Sequence, residues 1–275
     1  MIKAWRIAGR WKNLQNGQGE FPSPAISEGR GIFAGQVLTW LEMPAQRVEN
    51  RIIFVTGTDT GVGKTLFTGL LLLHLRARGI RAIAMKPFSS GDREDAKILL
   101  ALQAGEVQLQ EINPHHFRAP LAPLVAARKE KRSVRLAEVL ADILKLSRRC
   151  QVLLVEGAGG LMAPLGEGYS VVDLIRRLDG EVVVVAANRL GVINHTLLTV
   201  EALQDVGVKR IVVALMDRAG REESRRSNGR ILAEMLGAVR VIGVRYLGKG
   251  ALKMGALKKN AEKIKKTLAR FVGRP

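Results

Sequence analysis

One lysine set among glycines and followed by threonine carries the plainest chemistry in this sequence: Gly57-Thr58-Asp59-Thr60-Gly61-Val62-Gly63-Lys64-Thr65. It follows an apolar run at 52–56 and opens an amphipathic stretch, the strand–loop–helix setting that a P-loop requires. Glycines let backbone N–H groups converge on phosphate oxygens, and the helix N-terminus adds partial positive charge. In such a loop Lys64 reaches the β- and γ-phosphates, and the Thr65 hydroxyl binds Mg²⁺. The spacing departs from the usual one. Counting back from Gly63, Thr58 stands where the first glycine is normally found, and Gly57 lies one position earlier.

A phosphate site of this kind needs a second oxygen ligand for the metal. Glu156 ends the apolar run 152–155 and takes the place of a Walker-B carboxylate. The glycines at 157, 159 and 160 let the backbone come close to a ligand. Asp95 is a third candidate, so Thr65, Asp95 and Glu156 form an all-oxygen set suited to Mg²⁺. Lys86 opens Lys-Pro-Phe-Ser-Ser-Gly after another apolar run. It is expected one sheet position from the P-loop, where its charge would neutralise a transferring phosphoryl group. His115, His116 and His195 are not read as metal ligands, since adjacent side chains in extended backbone point apart. Cys150 reads as core.

The elements that must hold these residues follow from hydrophobic periodicity. Strands are expected at 52–56, 82–85, 152–155, 182–186, 211–215 and 239–244. Helices are expected at 64–78, 92–104, 194–206, 222–236 and from 256 onward, with Ser133 as N-cap of another that runs through Arg149. Uninterrupted Val/Ile/Leu runs mark strands covered on both faces. Their alternation with helices implies a doubly wound, mainly parallel α/β sheet, P-loop NTPase-like, with ligands bound at the C-terminal ends of its strands. Residues 1–50 hold all three tryptophans (Trp5, Trp11, Trp40) without a clear period. They are expected to form an irregular N-terminal extension, with Met43 as the natural start.

Composition bounds the rest. The chain has 275 residues, 47% of them hydrophobic and 25% charged, which is ordinary for a globular protein. A single cysteine excludes a disulfide scaffold or a paired-cysteine zinc site and fits a reducing, cytoplasmic setting. No apolar run is long enough for a bilayer, and no signal peptide is expected. The net charge is +19, and residues 209–275 account for +13 of it, with 18 Lys and Arg against 5 Asp and Glu. Only Tyr246 and Phe271 are aromatic among these basic ones, too few for the stacking that a single-strand binding platform would need. A solvated surface is therefore the preferred reading, with no nucleic-acid or membrane partner.

Four segments recur together in one family: Gly-Thr-Asp-Thr-Gly-Val-Gly-Lys-Thr (57–65), Lys-Pro-Phe-Ser-Ser-Gly (86–91), Val-Glu-Gly-Ala-Gly-Gly (155–160) and Leu-Gly-Val-Ile-Asn-His (190–195). In order and spacing they resemble dethiobiotin synthetase, over about 51–247. The resemblance implies a homodimeric P-loop ligase over residues 51–275. Its reaction would join CO₂ to 7,8-diaminononanoate and close a ureido ring, giving dethiobiotin, ADP and phosphate. Carried over by motif, Thr60, Lys64 and Lys86 would be catalytic, and Thr65, Asp95 and Glu156 would hold Mg²⁺. Gly61, Val62, Gly63, Lys64, Thr65, Leu66, Asp95, Glu156, Gly157, Ala158, Gly159, Met216 and Asp217 would line the ATP site. Ser90, with Gly191, Val192, Ile193 and Asn194 at a helix N-terminus across the dimer interface, would bind the diamine and its carboxylate. Pro120 and Pro123 resemble the family's proline-containing segment near the substrate. Met216-Asp217 departs from the family's usual Asn-Asp, and methionine cannot both donate and accept at a base edge.

A second reading is a partition ATPase of the ParA/MinD type, held on DNA or membrane by the basic C-terminal region. From residue 256 onward, Leu257, Ala261, Ile264, Leu268 and Phe271 form one apolar stripe among lysines. That stripe would lie either on an anionic membrane or on the sheet. Partition ATPases carry a signature lysine five residues before the P-loop lysine, where this chain has Asp59.

Overall fold

The run Arg-Ile-Ile-Phe-Val-Thr-Gly has no polar alternation, and in the computed structural model nearly all of it is buried. It therefore takes the middle of a sheet. The structure describes residues 50–103 and 105–272; the expected extension at 1–50, apart from its last residue, and the start at Met43 lie outside them.

The elements run β1 (Arg51–Gly57), α1 (Lys64–Ala77), β2 (Ala82–Met85), β3 (Phe88–Ser90), α2 (Glu94–Ala101), α3 (Leu109–Ile112) and β4 (His115–Phe117). Next come α4 (Pro123–Lys129), α5 (Leu136–Ser147), β5 (Val152–Glu156), β6 (Pro164–Gly166), β7 (Tyr169–Ser170) and α6 (Val171–Leu178). The chain continues through β8 (Glu181–Ala187), α7 (Val192–Asp205), β9 (Ile211–Met216), α8 (Arg225–Leu236) and β10 (Arg240–Val244), then α9 (Met254–Lys263) and α10 (Lys265–Val272). Six strands form one sheet in the order β10-β9-β8-β1-β5-β2, with every pairing parallel. The chain leaves β1 toward one edge and later returns on the other side, so the switch in strand order falls beside β1, where α/β sheets bind ligands. Two short ribbons, β3 with β4 and β6 with β7, rise from the same region.

The expected doubly wound parallel fold is the observed one, with corrections in detail. Lys86 is two strands from the P-loop, because β5 lies between β1 and β2. Ser133 does not cap α5. The cap is Arg135, whose backbone N–H donates to the Glu138 carboxylate at 3.1 Å. The single C-terminal helix is two, broken at Ile264, where φ is −113°. The ribbons and the helices α3, α4 and α6 were not expected, since segments of two to eight residues show too little periodicity.

Core packing settles the C-terminal stripe. Leu257, Ala261, Ile264, Leu268 and Phe271 are all buried. Phe271 meets Phe67 of α1 edge to face, with ring centroids 4.8 Å apart. The apolar face therefore packs inward, and the lysines around it form the solvated side. Among the described residues no helix is long and apolar enough to cross a membrane. Truncating Phe271 removes the anchor of α10, so Phe271→Ala should lower the unfolding free energy by about 3–5 kcal/mol in urea titrations. A loss below about 1 kcal/mol would contradict this packing.

Candidate functional site

The loop from Gly57 to Lys64 joins β1 to α1. Gly63 stands at the helix N-cap with φ 107°, a left-handed conformation that favours glycine. A Cβ on Gly57 would lie 2.8 Å from Val62 Cγ2 and 3.0 Å from the Asp59 carbonyl. The shifted first glycine thus answers a close approach inside the loop. Lys64 is buried, and its Nζ donates to the carbonyls of Asp59 at 2.9 Å and Gly159 at 2.7 Å. Both acceptors are loop carbonyls, which the ammonium can exchange for phosphate oxygens. Burial, with the neighbouring Lys86 charge, pushes the Lys64 pKa down to about 8.

Next to it is a cluster of charge that the sheet order explains. Glu156 ends β5 between the P-loop strand and β2, and it is fully buried. Its Oε1 accepts from Lys86 Nζ at 2.7 Å and from Thr65 Oγ1 at 2.8 Å. Lys86 Nζ also lies 3.1 Å from Asp95 Oδ2. Burial alone pushes the Lys86 ammonium down, but Glu156 and Asp95 outweigh it and hold its pKa above the ordinary lysine value. Burial pushes Asp95 up, and Lys86 with the Thr65 hydroxyl holds it below the usual carboxylate range.

Glu156 Oε2 is buried and has no hydrogen-bond partner. An unpaired carboxylate oxygen in the interior is costly, and a divalent cation would satisfy it. Among the described residues no group of three or more His, Cys, Asp or Glu side chains gathers to make a protein-only metal cage. Two carboxylates and a hydroxyl beside a phosphate site instead match the way Mg²⁺ is held, with phosphate and water completing the shell. Thr65, Asp95 and Glu156 therefore fit the ion.

Three clefts adjoin at this edge. The central one, 230 Å³, is lined by Gly61, Gly63, Lys64, Thr65, Lys86 and Glu156 among others. A second, 460 Å³, holds Ser89, Ser90, Pro120, Pro123 and Ala158, and shares Thr60, Lys86, Asp95 and Gly159 with the first. The third, 440 Å³, holds Val62, Met216, Asp217 and Tyr246, and shares Gly61, Gly63 and Leu66 with the central cleft.

A family model described as an AAA domain matches residues 51–246. An ATP-dependent dethiobiotin synthetase from an Anaeromyxobacter species is 45% identical over 169 residues, which span 60% of this chain and 76% of that protein. One from Bacillus velezensis is 37% identical over 202 residues, spanning 70% of this chain and 85% of that protein. The chain belongs to the dethiobiotin synthetase family. As a member it is an ATP-dependent ligase. Among solved structures, the MinC:MinD cell division complex of Aquifex aeolicus aligns with a TM-score of 0.53 at 14% identity, covering 82% of this chain and 97% of that one. A ParA family ATPase from Chlorobium tepidum aligns at 0.51 and 15%, covering 81% and 98%. At such identities these likenesses establish the P-loop fold alone.

Within this dethiobiotin synthetase family member, the structure gathers Thr60, Gly61, Gly63, Lys64, Thr65, Leu66, Lys86, Asp95, Glu156 and Gly159 at the central cleft. Val62, Met216 and Asp217 fall on one side of it, Ser90 and Ala158 on the other. Gly157 is not among the residues lining these clefts. It sits against the Phe54 ring, where a Cβ would come within 3.0 Å. Gly191, Val192, Ile193 and Asn194 also do not line them; Gly191 is the N-cap of α7, beyond β8.

Sequence reasoning missed Asn113. Its Nδ2 donates to the Lys86 carbonyl at 2.7 Å, and its Oδ1 accepts from Ser89 Oγ at 2.8 Å. It fixes the loop bearing Lys86 from a short segment with no motif. His115 Nε2 lies 3.2 Å from Asp142 Oδ2, and His116 Nδ1 is 3.1 Å from Ser89 Oγ.

If Lys64 holds a triphosphate, it does so best when protonated. With its free-state pKa near 8, Mg·ATP affinity should be full below that pH and fall as pH rises through it, by up to about tenfold per unit. Calorimetric titration between pH 7 and 9.5 measures this. A pH-independent dissociation constant would contradict the assignment.

Proposed function

We propose that this chain is an ATP-dependent dethiobiotin synthetase that carboxylates 7,8-diaminononanoate with CO₂ and closes the ureido ring. The observation that carries the reading is the buried Lys86 ammonium at the boundary shared by the phosphate cleft and the Ser90 cleft, with the buried Lys64 ammonium lining the phosphate cleft beside it. A γ-phosphate held in one cleft faces a substrate held in the other. Family membership supplies the identity of that substrate.

One amine of the diamine takes up CO₂ as a carbamate. A carbamate oxygen attacks the γ-phosphorus, ADP leaves, and a carbamic–phosphoric anhydride forms. The second amine then attacks the carbamate carbon, phosphate leaves, and the new C–N bond closes the ring. The protein forms no covalent bond in this sequence. Its work is orientation and charge neutralisation. Lys64 and the P-loop amides hold the phosphates, and Lys86 neutralises charge where the anhydride forms. Thr60 and Ser90, both on the walls of the 460 Å³ cleft, position the carbamate and the diamine. Bound by Thr65, Asp95 and Glu156, Mg²⁺ would supply charge neutralisation on the phosphate oxygens.

The site is completed by a second copy. Gly191, Val192, Ile193 and Asn194 begin α7 away from the Ser90 cleft of their own chain, and Leu190 beside them is 81% exposed. In a homodimer this helix N-terminus receives the substrate's carboxylate from the neighbouring copy. The enzyme works in the cytoplasm on small molecules, with no nucleic-acid or membrane partner. The partition-ATPase reading rests on the basic C-terminal region, and Asp59 and the inward-packed C-terminal stripe count against it.

Phosphate release from Mg·ATP and bicarbonate should require the diamine. Release stimulated instead by DNA or anionic vesicles would overturn the proposal. Lys64→Ala and Glu156→Ala should each lower kcat/KM at least about 10²–10³-fold, the scale of losing one transition-state charge partner. Lys258→Ala and Lys259→Ala, on the solvated face of α9, should stay within about twofold of the parent.

A further inference from the structure

The 440 Å³ cleft adjoins the phosphate cleft through Gly61, Gly63 and Leu66 and shares no residue with the Ser90 cleft, so it is open to the base of a bound triphosphate. Val62, Leu66, Met216, Leu247 and Ala251 give it apolar walls. No side-chain amide or hydroxyl lines it except the phenol of Tyr246. The other polar side chains there each have a protein partner. Asp217 Oδ1 accepts from Asn188 Nδ2 at 2.7 Å. Arg218 donates to the Gly61 carbonyl, and Arg245 donates to the Lys263 carbonyl at 3.2 Å.

We propose that this cleft grips the nucleobase by its faces rather than its edge, so that the enzyme accepts purine and pyrimidine triphosphates alike, with Met216 as the residue that leaves the base unread. The inference rests on the proposed function and refines its nucleotide substrate. Its physical ground is an asymmetry in molecular discrimination. A site built to pair with a polar edge rejects the wrong partner by about 10⁴–10⁵, whereas an apolar pocket separates similar shapes by only about 10–200-fold. Met216 is central because it ends β9 and lies against Gly63, with its Cε 3.6 Å from where a Cβ on that glycine would be. An amide placed there has the donor and acceptor that read adenine.

Diamine-dependent phosphate release measured with ATP, GTP, CTP and UTP tests this on the intact chain. The four kcat/KM values are expected within about 30-fold of one another, inside the range of apolar discrimination. One nucleotide exceeding the rest by more than that overturns the inference but leaves the proposed reaction standing. Absence of diamine-dependent release with all four defeats the proposed function itself, a separate outcome. Met216→Asn should raise the ATP:UTP ratio by about tenfold or more, the worth of one base-edge pairing. An unchanged ratio would remove Met216 from the role assigned to it.

Discussion

A carboxylate with no exposure to water, Glu156, is the constraint on which the site depends. A bare charge there would be several kcal/mol unfavourable. The chain supplies two donors to one oxygen, Lys86 at 2.7 Å and Thr65 at 2.8 Å, and leaves the other without a partner. The arrangement is half satisfied, with Oε2 buried and unpaired. A cation and its phosphate would complete this charge network, which is the preorganisation the proposed reaction needs.

The fold serves that arrangement through strand order. Because β5 lies between β1 and β2, Glu156 stands between the P-loop and Lys86. Glycine at 63, in the left-handed region, turns the loop into the start of α1. Asn113 then holds the backbone at Lys86, so the ammonium is aimed by a residue that touches none of the reacting atoms. The row of three adjoining clefts follows from the same edge, and the proposed reaction would put the phosphates in the middle with base and diamine on either side.

Much of this was legible in the sequence because the sheet is buried on both faces. Continuous runs such as Val152–Glu156 and Glu181–Ala187 cannot belong to amphipathic elements. The P-loop, Lys86, Glu156 and Asp95 each carried a local signal, and all four meet at the central cleft. What local pattern does not encode is lateral order. Lys86 is two strands from the P-loop rather than one, because nothing in the sequence near Lys86 says that β5 will insert. Asn113 and the ribbon β3–β4 were illegible for a related reason. Their pairing is long-range, and three residues are too few for a period to show. The break at Ile264 escaped notice because Leu257, Ala261, Ile264, Leu268 and Phe271 keep helical spacing straight across it.

The central claim is that Lys86 and Thr65 hold Glu156 in readiness for magnesium and the γ-phosphate. A crystal structure with Mg²⁺ and a non-hydrolysable ATP analogue tests it most directly. The account predicts metal density at Glu156 and Thr65, with the Lys86 ammonium turned from the carboxylate onto a phosphate oxygen. Density for the analogue elsewhere, or a Lys86–Glu156 contact still closed at 2.7 Å beside a filled P-loop, would contradict it.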